Sequence, residues 1–139
     1  MDTPVSRVAY LADERIREWA RALVRADVRV FAHARRRFLE KPNAERLHLL
    51  RTSARRLRSL YEDVRGVVEV SKRGSLGRLI ALTGEARDAS VLREALESAI
   101  DVRERAIGRS YLSALRKRER RGLKRVYRAL LALHIEAPE

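Results

Sequence analysis

Cysteine is absent from this chain, which rules out disulfides and thiolate metal sites. Proline (three) and glycine (six) are too scarce for a protein built of short strands and turns. Aromatic residues make up only 5% of the sequence, so any core must be filled by Leu, Val, Ala and Ile. No apolar run approaches the roughly 20 residues needed to span a bilayer. The N-terminus lacks the apolar centre of a signal peptide, so the expected location is cytoplasmic and soluble. Acidic residues are also in short supply, 19 against 32 Lys and Arg, leaving a net charge of +13.

What the chain does contain is helical in composition. Apolar residues reach 45% and charged residues 37%, in 139 residues, enough for one domain with a real core. Nearly all of the positive charge is arginine, whose planar guanidinium offers paired donors suited to phosphate oxygens. A balance this basic calls for an anionic partner: nucleic acid, polyphosphate or an acidic membrane surface.

Four helical segments are expected within a single domain, 1–139. The first runs from Pro4, a favoured first helical residue after Thr3, to Glu40, and Lys41-Pro42-Asn43 ends it. Val8, Ile16, Leu23, Val24, Phe31 and Phe38 form its buried side, and Trp19 also fits a core position. The second opens on Asn43 as N-cap and stops at Gly66. The third begins near Ser71 or Ser75 and ends around Ile100, with Gly77 and Gly84 inside it marking close packing or a bend. The fourth runs from Asp101 to His134. Short connections make sequential neighbours antiparallel, so the expected fold is an all-α four-helix bundle with long helices.

Charge is unevenly distributed over these segments. Residues 1–42 carry a net +4, 43–66 carry +3, 67–101 carry −1 and 102–139 carry +7. Between Glu45 and Glu62 there are five arginines, one histidine and no acid. At 100° per residue His48, Arg51, Arg55 and Arg58 share one stripe, beside an apolar arc that includes Leu49, Leu50, Leu57 and Leu60. A solvated charged face would intersperse acids at i,i+4, and this one does not. The fourth segment repeats the pattern with Arg109, Arg116, Arg120 and Lys124, continued by Tyr127. In the first, Arg17, Arg21, Arg25 and Arg29 follow at strict i,i+4 spacing. Three basic stripes beside core seams suggest one groove or channel for a polyanion.

No sequence pattern suggests catalysis. There is no phosphate-binding glycine loop, serine elbow, His-Glu-x-x-His or carboxylate pair other than helix-face acids. His33, His48 and His134 lie on separate segments without a ligand at i,i+3 or i,i+4, so no metal or cofactor is expected.

The stretch Leu47-His48-Leu49-Leu50-Arg51-Thr52-Ser53-Ala54-Arg55-Arg56-Leu57-Arg58 resembles the signature helix of the CHAD family, the conserved histidine α-helical domain. That signature reads apolar-His-x-x-Arg-Val-x-x-Arg-Arg-Leu-Arg. Gly84-Glu85-Ala86-Arg87-Asp88-Ala89-Ser90-Val91-Leu92 is similar to the family's following helix, Gly-x-x-Arg-Asp-x-x-Val-Leu. The two motifs cover about a third of the chain, in the family's order.

The resemblance implies an all-helical, non-catalytic protein that binds inorganic polyphosphate through a basic channel, with His48, Arg51, Arg55 and Arg58 facing the ligand. It also implies an internal Arg87-Asp88 pair that fixes helix packing. Arg109, Arg116, Arg120, Lys124, Arg21 and Arg25 join the binding set on geometry alone. The Glu-x-Glu-x-Lys strand of the triphosphate-tunnel enzymes that often accompany such domains is missing. Thr52 replaces a usual apolar residue. A typical family domain has two related bundles and about twice this length, so this chain corresponds to half of one. A two-fold homodimer is therefore expected, with Trp19, Leu23, Tyr111 and Leu131 as contact candidates, in the cytoplasm or on polyphosphate granules. The alternative is a helical protein binding nucleic acid without sequence preference. A weaker third reading is a helical module whose arginines engage an acidic protein.

Overall fold

A computed structural model describes the backbone of residues 4–68, 73–100 and 105–138, and the side chains of 13–68, 74–100 and 108–138. Thr3, the Val8 side chain, Ser71 and Asp101, all used in the sequence reading, lie outside these. The described chain is all-α: α1 (Pro4–Glu40), α2 (Ala44–Asp63), α3 (Arg73–Ala99) and α4 (Arg105–Ala132).

Local chemistry sets the breaks. Asn43 is extended and its side chain accepts from the Arg46 amide at 2.8 Å, capping α2. The Arg46 guanidinium in turn donates to the Arg37 carbonyl at 2.6 Å, which also accepts the Lys41 amide at 3.2 Å, tying α2 to the last turn of α1. After α2 the chain reverses at Gly66, whose φ of 85° suits glycine.

Each helix packs chiefly on its chain neighbours, and α1 meets α4 over a smaller contact. The pairing is antiparallel. Along α1 and α2, Arg46 meets Arg37 and Arg56 meets Asp27, so one helix advances as the other retreats. Along α3 and α4 the same holds for Glu85 with Arg125 and Glu97 with Arg116. Arg35 donates to the Leu130 carbonyl at 2.7 Å, joining α4 to α1.

The core takes residues at helical spacing from all four elements: Val24, Phe31 and Phe38, then Leu47, Leu50, Leu57 and Tyr61, then Leu76 and Leu79, then Val126 and Leu130. It fills only part of the helices. At 1.5 Å per residue α1 is about 55 Å long and α2 about 30 Å. Between Asp13 and Trp19 no side chain is buried. Trp19, which also fitted a core position, is 64% exposed although Ala20 beside it is buried, because it lies about 100° round the helix from the Ala20–Val24–Phe31 face. Ile16, nearer that face but closer to the helix start, is also exposed. At the other end α3 and α4 run past the core as a hairpin held by ions. Arg93 hydrogen-bonds Glu119 and meets Glu97 at 2.9 Å, while Arg116 reaches Glu97 at 3.2 Å. The Glu119 hydrogen bond raises the Arg93 pKa against the lowering effect of burial, assisted by the charges of Glu119, Glu97 and Glu94.

Two glycines permit close approach. A Cβ on Gly122 would stand 3.0 Å from both Cα and Cβ of Ala86, so α3 and α4 touch almost backbone to backbone. Gly84 leaves room for the tip of Arg51. Gly77 meets nothing within 4 Å and marks no contact. No helix among the described residues is long and apolar enough to cross a membrane.

Candidate binding trough

The α2 stripe lies along α3. Arg51 is half-buried, and its Nη1 donates to the Ile80 carbonyl at 3.4 Å beside Gly84. That carbonyl also accepts the Thr83 hydroxyl at 2.7 Å. The Nε of Arg51 is buried without a hydrogen-bond partner. A guanidinium held by one long bond, with no carboxylate, keeps most of its donor capacity for a ligand. His48, Arg55 and Arg58 follow the same stripe, are exposed, and have no ion pair among the described residues.

The α3 side of this stripe is low. The register that puts Arg51 beside Gly84 sets Arg55 and Arg58 level with Ala81 and Gly77, one and two turns along an antiparallel neighbour. By that register the arginines would form one wall of a trough and the small residues Gly84, Ala81 and Gly77 the other. The same register brings Arg87 level with His48 at the far end.

Arg87 therefore adds to the basic surface, where the sequence reading made it half of an internal pair with Asp88. Both side chains are exposed and neither has a hydrogen bond or ion pair among the described residues. The signal was in the sequence: Arg87 stands three residues after Gly84 and so shares its face.

The stripes of α1 and α4 do not join this trough in one bundle. Arg21 pairs with Glu14 at 3.9 Å, and Arg17 with Asp13 at 3.0 Å, on their own helix. Arg25 points to the opposite flank, with Nη1 3.5 Å from the Pro138 carbonyl beyond α4. On α4, Arg116 is held by Glu97, and Arg109 lines a separate cleft with Ile100 and Leu112 near the α3–α4 connection. Arg120 and Lys124 are exposed and free of ion pairs among the described residues, while Tyr127 packs against the core. The expectation of three stripes lining one groove fails on helix order: α2 turns its stripe to α3, whereas α1 turns Arg25 toward the end of α4.

No group of three His, Cys, Asp or Glu among the described residues could hold a metal ion. Chemically, the trough can offer a row of charge-assisted donors and a clear approach.

No curated protein and no solved structure matches this chain significantly. A family model does: that of the CHAD domain, over residues 22–136, which include the whole trough. The chain belongs to the CHAD domain family.

Proposed function

We propose that the α2–α3 trough binds inorganic polyphosphate without chemical turnover. One observation carries the reading: His48, Arg51, Arg55 and Arg58 form a continuous stripe with no carboxylate partner among the described residues, while other arginines of the chain, such as Arg17, Arg56 and Arg93, have one. Unpaired like charges at this spacing repel until an anion bridges them, and a linear polyanion does so along the whole helix. Membership of a family linked to polyphosphate binding supports the choice of polymer. The low α3 wall suits a backbone of phosphates with no bases to seat.

Nucleic acid is the second reading, favoured by the exposure of Trp19 and Tyr111 (64% and 69%), where the helix pattern had also offered Trp19 a core position. Base stacking needs such rings beside the cationic track. These two lie on helix portions outside the trough.

We further infer a two-fold homodimer in the cytoplasm, through apolar surface away from the stripes. Trp19, Tyr111 and Leu131 are exposed as such a contact requires, and Leu23 is half-buried.

The test is competition among long-chain polyphosphate, pyrophosphate, duplex DNA and RNA at matched charge and fixed salt. Polyphosphate is expected to win, with affinity falling steeply as salt rises, because phosphate contacts release counterions. Equal competition by pyrophosphate, phosphate for phosphate, would rule out an extended site, and equal competition by DNA would favour the second reading.

A further inference from the structure

The opposite flank of α2 carries a different kind of surface. Between α1 and α2 lies a groove of about 220 Å³ whose floor is made by Val30, Ala34 and Leu49 and whose rim carries Arg37, Arg46 and Arg56. Val30 is 51% exposed and Leu49 46%, so two large aliphatic side chains meet water side by side on otherwise polar helix faces. The hydroxyls at this wall are already used within α2: Ser53 donates to the Leu50 carbonyl and Thr52 to the His48 carbonyl, both at 2.9 Å. His33, whose Nδ1 lies 3.2 Å from Arg36 Nη2, also lines the groove, and between it and the arginines the floor is hydrocarbon.

Size narrows the occupant. Ligand pockets for whole small molecules run to about 300–1,000 Å³, whereas a cavity near 150 Å³ already takes a benzene ring. This groove fits one or two apolar side chains, the scale of an anchor in helix-in-groove recognition. Charge narrows it further. Arg37 has no carboxylate partner among the described residues. Arg46 donates to the Arg37 carbonyl at 2.6 Å and stands 3.9 Å from Glu40. Arg56 pairs with Asp27 at 3.4 Å from a mostly exposed position, so the rim keeps a net positive charge. A second copy of this chain would bring the same three arginines against these three. Polyphosphate has nothing to place on an aliphatic floor.

We propose that this groove docks an acidic amphipathic helix of a partner protein, with its apolar anchors on Val30, Ala34 and Leu49 and its carboxylates against Arg37, Arg46 and Arg56. The proposal is independent of the polyphosphate reading, since the two sites lie on opposite flanks of α2. Both ligands are held at once.

The test uses three synthetic 18-residue helical peptides of equal helicity. One carries Leu at i, i+3 and i+7 on a Glu background, one has those Leu replaced by Ala, and one keeps Leu on a Lys background. The Glu/Leu peptide is expected to bind at least tenfold more tightly than the others. It should shift the methyl resonances of Val30, Ala34 and Leu49, and remain bound in the presence of polyphosphate. Leu49→Gln and Val30→Asn, both at exposed positions, are expected to weaken the peptide at least tenfold while leaving the circular dichroism spectrum and the polyphosphate titration unchanged. Absence of binding by the Glu/Leu peptide, equal binding by the Glu/Ala peptide, or displacement by polyphosphate overturns the proposal. So does Leu49-dependent binding of anionic phosphatidylglycerol vesicles, which would assign the groove to a membrane surface. The methyl shifts of the unsubstituted protein decide the matter even if a variant misfolds.

Discussion

Arg51 and Gly84 occupy one space: a Cβ added at Gly84 would lie 2.8 Å from Nη1 of Arg51. The obstructed group is the far end of a flexible side chain, so a methyl there moves the guanidinium and leaves the helices where they are. The glycine weakens α3 by about 1 kcal/mol relative to alanine. What it secures is the seat of an arginine in the trough.

Gly84→Ala is therefore expected to split stability from binding. Thermal unfolding should occur at the same or a higher temperature, while polyphosphate affinity falls because Arg51 leaves its seat. Calorimetry and a binding titration on the same sample read both; a joint fall in stability and affinity would place the glycine in the packing instead.

Gly122→Ala should act in the opposite sense. Its methyl meets the backbone of Ala86, which cannot swing aside, so α3 and α4 must separate. The expected cost is about 1–3 kcal/mol, the usual range for overpacking, read from urea unfolding. Affinity of the folded fraction should be unchanged.

Arg55→Ala and Arg58→Ala should each reduce polyphosphate affinity by about tenfold or more, since a hydrogen bond to a charged group contributes roughly 1.5–3 kcal/mol. Both side chains are exposed and have no ion pair among the described residues, so the unfolding midpoint should not move. The slope of affinity against salt should also become shallower, by about one phosphate contact per arginine removed.

Asp88→Ala is expected to be nearly silent. Its carboxylate is exposed and has no partner among the described residues, so stability should change by no more than about 0.5 kcal/mol in urea unfolding. A packing role would instead produce a clear loss.

Alkaline pH tests the core. Burial raises the Tyr61 pKa above its ordinary 10.0, so the fold favours the neutral phenol. In the unfolded chain the phenol ionises near pH 10, before the folded one. The stability it contributes is present in full below pH 10 and is lost as pH climbs through the higher folded value. Urea midpoints measured from pH 8 to 11 should fall at the upper end, and Tyr61→Phe should remove Tyr61's share of that fall.

The sequence foretold the helices well because their limits are local events: Asn43 caps, Pro42 interrupts, Gly66 reverses the chain. It foretold the α2 stripe for the same reason, since one helix's periodicity fixes one helix's face. Trp19 was misplaced because the apolar stripe of α1 is broad in the sequence, and only the packing shows that the core takes the Ala20–Val24–Phe31 face and leaves Trp19 to one side. The pairing partners of Arg25 and Arg116, and the freedom of Asp88, depend on which helix stands opposite, and the pattern of a single helix holds no such information. Gly122 went unnoticed because a glycine in a helical run looks the same whether it faces water or another backbone.

The order of helix contacts has a mechanical consequence. Because each helix packs mainly on its chain neighbour and α1 meets α4 over only a small contact, the molecule is a pleated row of four rods rolled until its edges meet. The closing edge is fastened where Arg35 grips the Leu130 carbonyl in the last turn of α4, a cation at the negative end of a helix dipole. Mechanical strain or denaturant should first unroll the bundle along that edge, parting α1 from α4 while the chain-neighbour contacts, α3 with α4 the most extensive of them, still hold.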